Sequence, residues 1–199
     1  TERGYLYSTT HCEHSGGTNS FDSNTGKGVI TFTGKLTRIG DGAFRGKTSL
    51  ISVTIPDNVT LIGSAAFYGC TSLKEVNLSS SVKTIEYSAF SGCSSLTGIS
   101  IPEGVTTIEV DAFENTGLTS VTIPTTVTTL SSSGIFNGCD KITEFNGKFA
   151  TADHKGLVYN NTFIDFAAGS DITEYSLPEG VQYFVGGIFD NGKLTKLVF

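Results

Sequence analysis

The side chains best suited to hold a metal or form a covalent bond are four cysteines and three histidines. His11-Cys12-Glu13-His14 has a His-x-x-His spacing, but zinc needs three or four ligands, and no further one lies near in sequence. His154 is far away in the chain, so the segment reads as an exposed loop, and no metal is expected. Cys70 and Cys93 sit 23 residues apart (93 − 70), and Cys139 lies two such steps further on. A Cys70–Cys93 bond would be within Cα reach if the two stack one strand apart, but side chains in parallel register seldom adopt the disulfide torsion. Reduced thiols packed as small core residues are the expectation.

Catalysis needs a nucleophile, a base and an orienting group that converge. The sequence has no Gly-x-Ser-x-Gly turn, no phosphate loop and no isolated carboxylate pair. Glu103, Glu109, Asp111 and Glu114 read as a solvated face, so an enzyme is not expected and no cofactor is implied. Asn58-Val59-Thr60, Asn77-Leu78-Ser79 and Asn160-Asn161-Thr162 fit the N-glycosylation pattern, which the abundance of Ser and Thr produces by chance.

Composition narrows the partners. The net charge is −6 with no run of Lys or Arg, which excludes the basic footprint of nucleic-acid binding and disfavours anionic membranes. Only 16% of residues are charged, so Ser, Thr and 24 Gly must supply much of the solvated surface, a composition of strands and tight turns. No stretch is long and apolar enough to span a bilayer as a helix. The first residue is Thr1, read as a mature or trimmed start whose targeting segment has been removed.

These residues must be positioned by a repeat. Phe44, Phe67, Phe90, Phe113 and Phe136 each follow the last by 23 (67 − 44, and so on), and Leu50/Leu73/Leu96, Val53/Val76/Ile99, Ile55/Leu78/Ile101 and Val59/Val82/Val105 keep the step. The unit reads Ile-Gly-x-x-Ala-Phe-x-Gly-Cys-x-Ser-Leu-x-x-Val-x-Ile-Pro-x-x-Val-x-x. Such a period, with Leu-x-x-Leu-x-Leu spacing inside it, means a leucine-rich repeat solenoid. Ile30-Thr31-Phe32 and Leu36 align one period before Val53-Thr54-Ile55 and Val59, and Ser176 to Phe199 align without a gap on Ser100 to Ile123. One coil is seven residues too long. Within it Leu157 to Ile164 read as a β-hairpin, with Asn160-Asn161 tolerating positive φ at the turn.

The expected fold is therefore a β-rich α/β solenoid, a right-handed, horseshoe-like coil of 23-residue repeats. Leu-x-x-Val-x-Ile is a strand with one buried face, ended by Pro56, Pro102, Pro124 or Pro178. Val-x-x-Ile supplies a second buried edge. Ala-Phe-x-Gly is expected to close each coil as a short helical or 3-10 turn. Residues 1–28 form an N-terminal cap and 29–199 the solenoid, with the longer hairpin-bearing coil at about 147–171.

The repeat resembles the BspA-like leucine-rich repeats of bacterial surface proteins, from about Val29 to Phe199. The long coil, Gly147 to Asp153 followed by Ile172 to Pro178, is also similar to a variant coil of such proteins. The resemblance implies export, often as a surface lipoprotein, and adhesion to host matrix proteins or other cells.

The outward positions of the strand face run Ser52/Thr54, Glu75/Asn77, Gly98/Ser100, Ser120/Thr122, Glu144/Asn146, Glu174/Ser176 and Lys196/Val198. A macromolecular partner, protein or glycan, would be held there by shallow contacts over several coils. Glu75, Asn77, Glu144, Asn146 and Glu174 carry most of the charge and amide chemistry. Tyr159 and Phe163 of the hairpin are the competing aromatic anchors. A non-catalytic, cell-surface adhesion module is the leading expectation; a structural spacer, a self-associating scaffold or a glycan-binding surface protein are the alternatives.

Overall fold

The computed structural model describes residues 17–22, 27–32, 36–189 and 193–199. The His11 to His14 segment and Cys12 lie outside the described residues. The chain forms a right-handed β-solenoid of about seven turns with the expected spacing of about 23 residues. Its first described elements are an antiparallel pair, Gly17–Asp22 with Lys27–Phe32.

Each coil offers two strand-forming segments and a closing turn. The Val-x-x-Ile segments make the longest sheet: Arg38–Ile39, Leu61–Ile62, Thr84–Ile85, Thr107–Ile108 and Thr129–Leu130 pair in parallel. Ile39, Ile62, Ile85, Ile108 and Leu130 stand in one buried file, since in-register stacking sets a branched aliphatic side chain at the same place on every level. The other face, expected to be one continuous strip, is three separate parallel pairs: Ser52–Thr54 with Glu75–Asn77, Ser120–Ile123 with Glu144–Gly147, and Glu174–Ser176 with Lys196–Val198. Gly98–Ser100 forms no strand, which makes the first gap. At the second, the Phe145 amide donates to the His154 carbonyl at 2.8 Å, so the long coil folds its own loop against the strand edge.

The closing turns correct one expectation. No α- or 3-10 helix forms among the described residues, so neither the α/β class nor the helical turn holds. In a helix each amide would donate back along its own segment. Here the donors alternate: Ala66 donates to Gly63 and Tyr68 to Ala65 within the turn, while Ala65, Phe67 and Gly69 donate to Tyr87, Ala89 and Ser91 of the next coil. Tight turns are thus threaded into another inter-coil ladder, which a helix could not supply. The geometry needs left-handed backbone twice per coil. Gly69 and Gly92 fill one position at φ 67° and 74°, while Ala65, Ser88 and Asp111 occupy the other at 53°, 52° and 55°.

Phe67, Phe90, Phe113 and Phe136 are buried in the main core. From Phe44 to Phe136 successive rings lie 5.1–5.6 Å apart and within 6° of parallel, a single stack through five coils. Phe145 ends it, tilted by 54°. Beyond it a second core gathers Phe163, Phe166 and Tyr175, with Ile172, Phe189 and Leu197 against them. The hairpin forms as expected, Gly156–Tyr159 antiparallel to Thr162–Phe166, with Asn160 and Asn161 at φ 49° and 59°.

Candidate binding face

The outward residues of the strand pairs are placed by alternation: Val53, Val76, Val121 and Phe145 point into the core, so their neighbours in sequence face out. Parallel register sets Ser52 beside Glu75 and Thr54 beside Asn77. It also sets Ser120 beside Glu144 and Thr122 beside Asn146. The face therefore carries the same four-residue plate twice, Ser-x-Thr on one strand and Glu-x-Asn on the next. In each plate the asparagine amide donates to the glutamate, Asn77 Nδ2 to Glu75 Oε1 at 2.8 Å and Asn146 Nδ2 to Glu144 Oε1 at 3.1 Å. That bond uses one oxygen of each carboxylate and orients its second oxygen and the amide carbonyl as fixed acceptors, with two hydroxyls a strand spacing away.

Glu174 differs. Lys196 Nζ lies 2.9 Å from its Oε2, and both side chains are more than half exposed. The pair cancels the local charge and adds little stability. Sequence inspection grouped the three glutamates as equivalent anionic points, whereas cross-strand register separates two Glu/Asn plates from one Glu–Lys pair.

The aromatic anchors are not both available. Phe163 is fully enclosed in the second core, so a ligand could meet it only if that core opened. Tyr159 is half-buried, edge-on to Phe149, and donates its hydroxyl to the Thr128 carbonyl at 3.2 Å. What surface it keeps belongs to a ring already fastened to the solenoid.

Cys70, Cys93 and Cys139 are free and buried. Burial pushes the Cys93 and Cys139 thiols up to about 12 and raises that of Cys70. Protonated thiols in apolar surroundings are poor nucleophiles and metal ligands. Among the described residues no three His, Cys, Asp or Glu side chains group as a metal site would require.

A model of the BspA type leucine-rich repeat region matches residues 16–143 in six copies. The chain belongs to the BspA-type leucine-rich repeat family. The match ends where the long coil begins, and the solenoid continues through the BspA-type chain to Val198. Among curated proteins no sequence matches. Solved structures share the fold. A leucine-rich repeat protein from Eubacterium ventriosum is 24% identical with a TM-score of 0.68, over 82% of this chain and 45% of its own. One from Bacteroides ovatus is 20% identical, TM-score 0.57, over 98% and 67%. A leucine rich cell surface protein from Faecalibacterium prausnitzii is 22% identical, TM-score 0.52, over 100% and 77%. The BspA-type chain thus spans about half to four-fifths of these relatives. No helix among its described residues is long and apolar enough to cross a membrane.

Proposed function

We propose that this chain is a non-catalytic binding module of an exported bacterial surface protein, which holds a protein or glycan partner on its strand face. The observation that carries this reading is the repeated Ser-x-Thr/Glu-x-Asn plate. The two plates lie three coil steps apart, about 14 Å at ordinary strand spacing, a separation suited to a macromolecule and too long for one small molecule. Preset acceptors beside hydroxyls suit a partner rich in donors, such as sugar hydroxyls or exposed amide and guanidinium groups. Binding of this kind is built from modest terms, since neither plate has an aromatic anchor. Surface location is supported by family membership and by the description of the F. prausnitzii relative as a cell surface protein.

A glycan array and a pull-down with matrix proteins identify the partner class. Glu75→Gln with Glu144→Gln should then weaken binding about ten-fold, as expected for two altered polar contacts. Glu174→Gln should have little effect, because that carboxylate is already paired with Lys196. Unchanged affinity in the double variant rejects the plates, and loss on shortening the hairpin tip moves the site there. With no partner in either assay, the chain is better read as a spacer or self-associating scaffold.

A further inference from the structure

The long coil leaves a gap in the closing-turn ladder. In the first three turns the amides at three alternating positions donate to the next coil: Gly42, Phe44 and Gly46 to Ser64, Ala66 and Tyr68, and so on through Ser88, Phe90 and Gly92. The corresponding amides of the Phe136 turn are Gly134, Phe136 and Gly138. The following coil has replaced its turn with the hairpin, so the expected carbonyls are missing, and Gly134 and Gly138 donate to no described residue. Two coil steps on, Gly186 and Ile188 occupy the positions that Val110 and Ala112 hold in the offset alignment, those of the carbonyls that accept from a preceding coil. Between these walls lies a cleft of about 400 Å³ lined by Gly134, Gly138, Asp165, Gly186 and Ile188, with Asp111 and Asp140 at its sides.

Asp165 is the chemical centre of the cleft. It is 8% exposed, it accepts the Phe166 amide at 2.9 Å, and it lies against the Phe136 amide. It thus stands in for the missing carbonyl of the ladder. Among the described residues no lysine or arginine lines the cleft.

We propose that this cleft is a docking slot for an extended peptide that carries a basic side chain, distinct from the strand-face site. The walls are those of a β-ladder with one strand removed, donors on one side and acceptors on the other, spaced for a chain of alternating residues. The three aspartates select a lysine or arginine, which would meet Asp165 in a charge-assisted hydrogen bond. Burial pushes the Asp165 carboxyl up to about 7, and an incoming cation relieves the cost of keeping it ionised.

The test is an NMR titration of the intact, nitrogen-15-labelled chain with acetyl-Ala-Lys-Ala-amide. Two controls are acetyl-Ala-Glu-Ala-amide and the lysine peptide with methylated backbone nitrogens; chitotriose is the glycan arm. The lysine peptide should shift the amides of Gly134, Gly138 and Gly186, and each control peptide should bind about ten-fold more weakly, the scale of one lost charge-assisted or backbone hydrogen bond. Asp165→Asn should cost the lysine peptide a similar factor. Gly186→Phe should weaken its binding further: Gly186 lines the slot with ordinary backbone and open space at its Cβ position, so the ring is admitted without disturbing the fold and crowds the rim. Unfolding curves of both variants confirm that they fold. Equal shifts with lysine and glutamate peptides, no shift at millimolar peptide, full binding by Gly186→Phe, or a response to chitotriose alone would each overturn the proposal. Glu75→Gln with Glu144→Gln leaves peptide binding unchanged, so the slot and the strand-face reading fail separately.

Discussion

The Cys93 thiol donates to the backbone carbonyl of Phe67, 26 residues earlier and one coil away, at 3.2 Å. Cys70 to Phe44 and Cys139 to Phe113 repeat the bond at 3.1 and 3.0 Å. A cysteine at this position therefore has a polar task as well as an apolar one; Thr116, in the same column, places its hydroxyl 3.1 Å from Cys139 Sγ.

Thiol labelling checks the consequence. With burial pushing Cys93 and Cys139 up to about 12, only about one thiol in ten thousand is ionised near pH 8. Maleimide treatment of the native chain, read by peptide mass mapping, should leave both unmodified, with Cys70 slow but faster than either. Denaturation should expose all three to full labelling. Rapid native modification of Cys93 would contradict the buried bond.

The phenylalanine stack predicts a gradient of stability losses. Phe90 is fully buried between the parallel rings of Phe67 and Phe113, so Phe90→Ala should cost ~3–5 kcal/mol in a urea titration. Phe44 is only half-buried, and its replacement should cost less. Equal, small losses at both positions would argue against a shared core.

Two glycines make a sharper contrast. A methyl group built on Gly104 would collide with the Ser80 carbonyl oxygen of the preceding coil, whereas one on Gly98 meets open space. Gly104→Ala should destabilise by ~1–3 kcal/mol, because backbone must move to admit the carbon. Gly98→Ala should stay within about 0.5 kcal/mol of the parent. Thermal unfolding of the two single variants measures the difference.

Asp165 sets a pH dependence. Its folded-state value of about 7 lies above the ordinary carboxyl value of about 3.9, chiefly because burial penalises the charge. The folded chain thus binds this proton more tightly than the unfolded chain. The group's contribution to stability is full below about pH 4, declines as pH rises towards 7 and is flat above it. Asp165→Asn keeps one acceptor oxygen and removes the titration. The variant should therefore gain on the parent as pH rises from about 4 to about 7, by on the order of a few kcal/mol. Urea midpoints of both chains at about pH 5 and about pH 8 check the sign; a parent that gains on the variant with rising pH would refute it.

A break in the period, with turn-forming Asn160-Asn161 inside it, marked the hairpin; the periodicity itself determined the solenoid, the inward columns and the buried thiols. These last follow from residue type at fixed spacing, because every coil solves the same local packing problem and repeats the solution. The closing turns were not legible, since Ala-Phe-x-Gly suits a helical turn as well as a threaded one. The column at Gly42, Ala65, Ser88, Asp111 and Gly134 also varies too much to announce positive φ. Inter-coil hydrogen bonding decided the matter, as only the threaded turn pairs its alternate amides with the next level. The tertiary structure likewise decided that Glu75 and Glu144 lie in matched plates while Glu174 pairs with Lys196, a distinction set by which strand stands beside each glutamate. The cleft around Asp165 exists because one coil omits its turn while its neighbours keep theirs. The excess length was visible in the sequence; the walls left facing each other depend on contacts between residues some fifty positions apart, which no local pattern records.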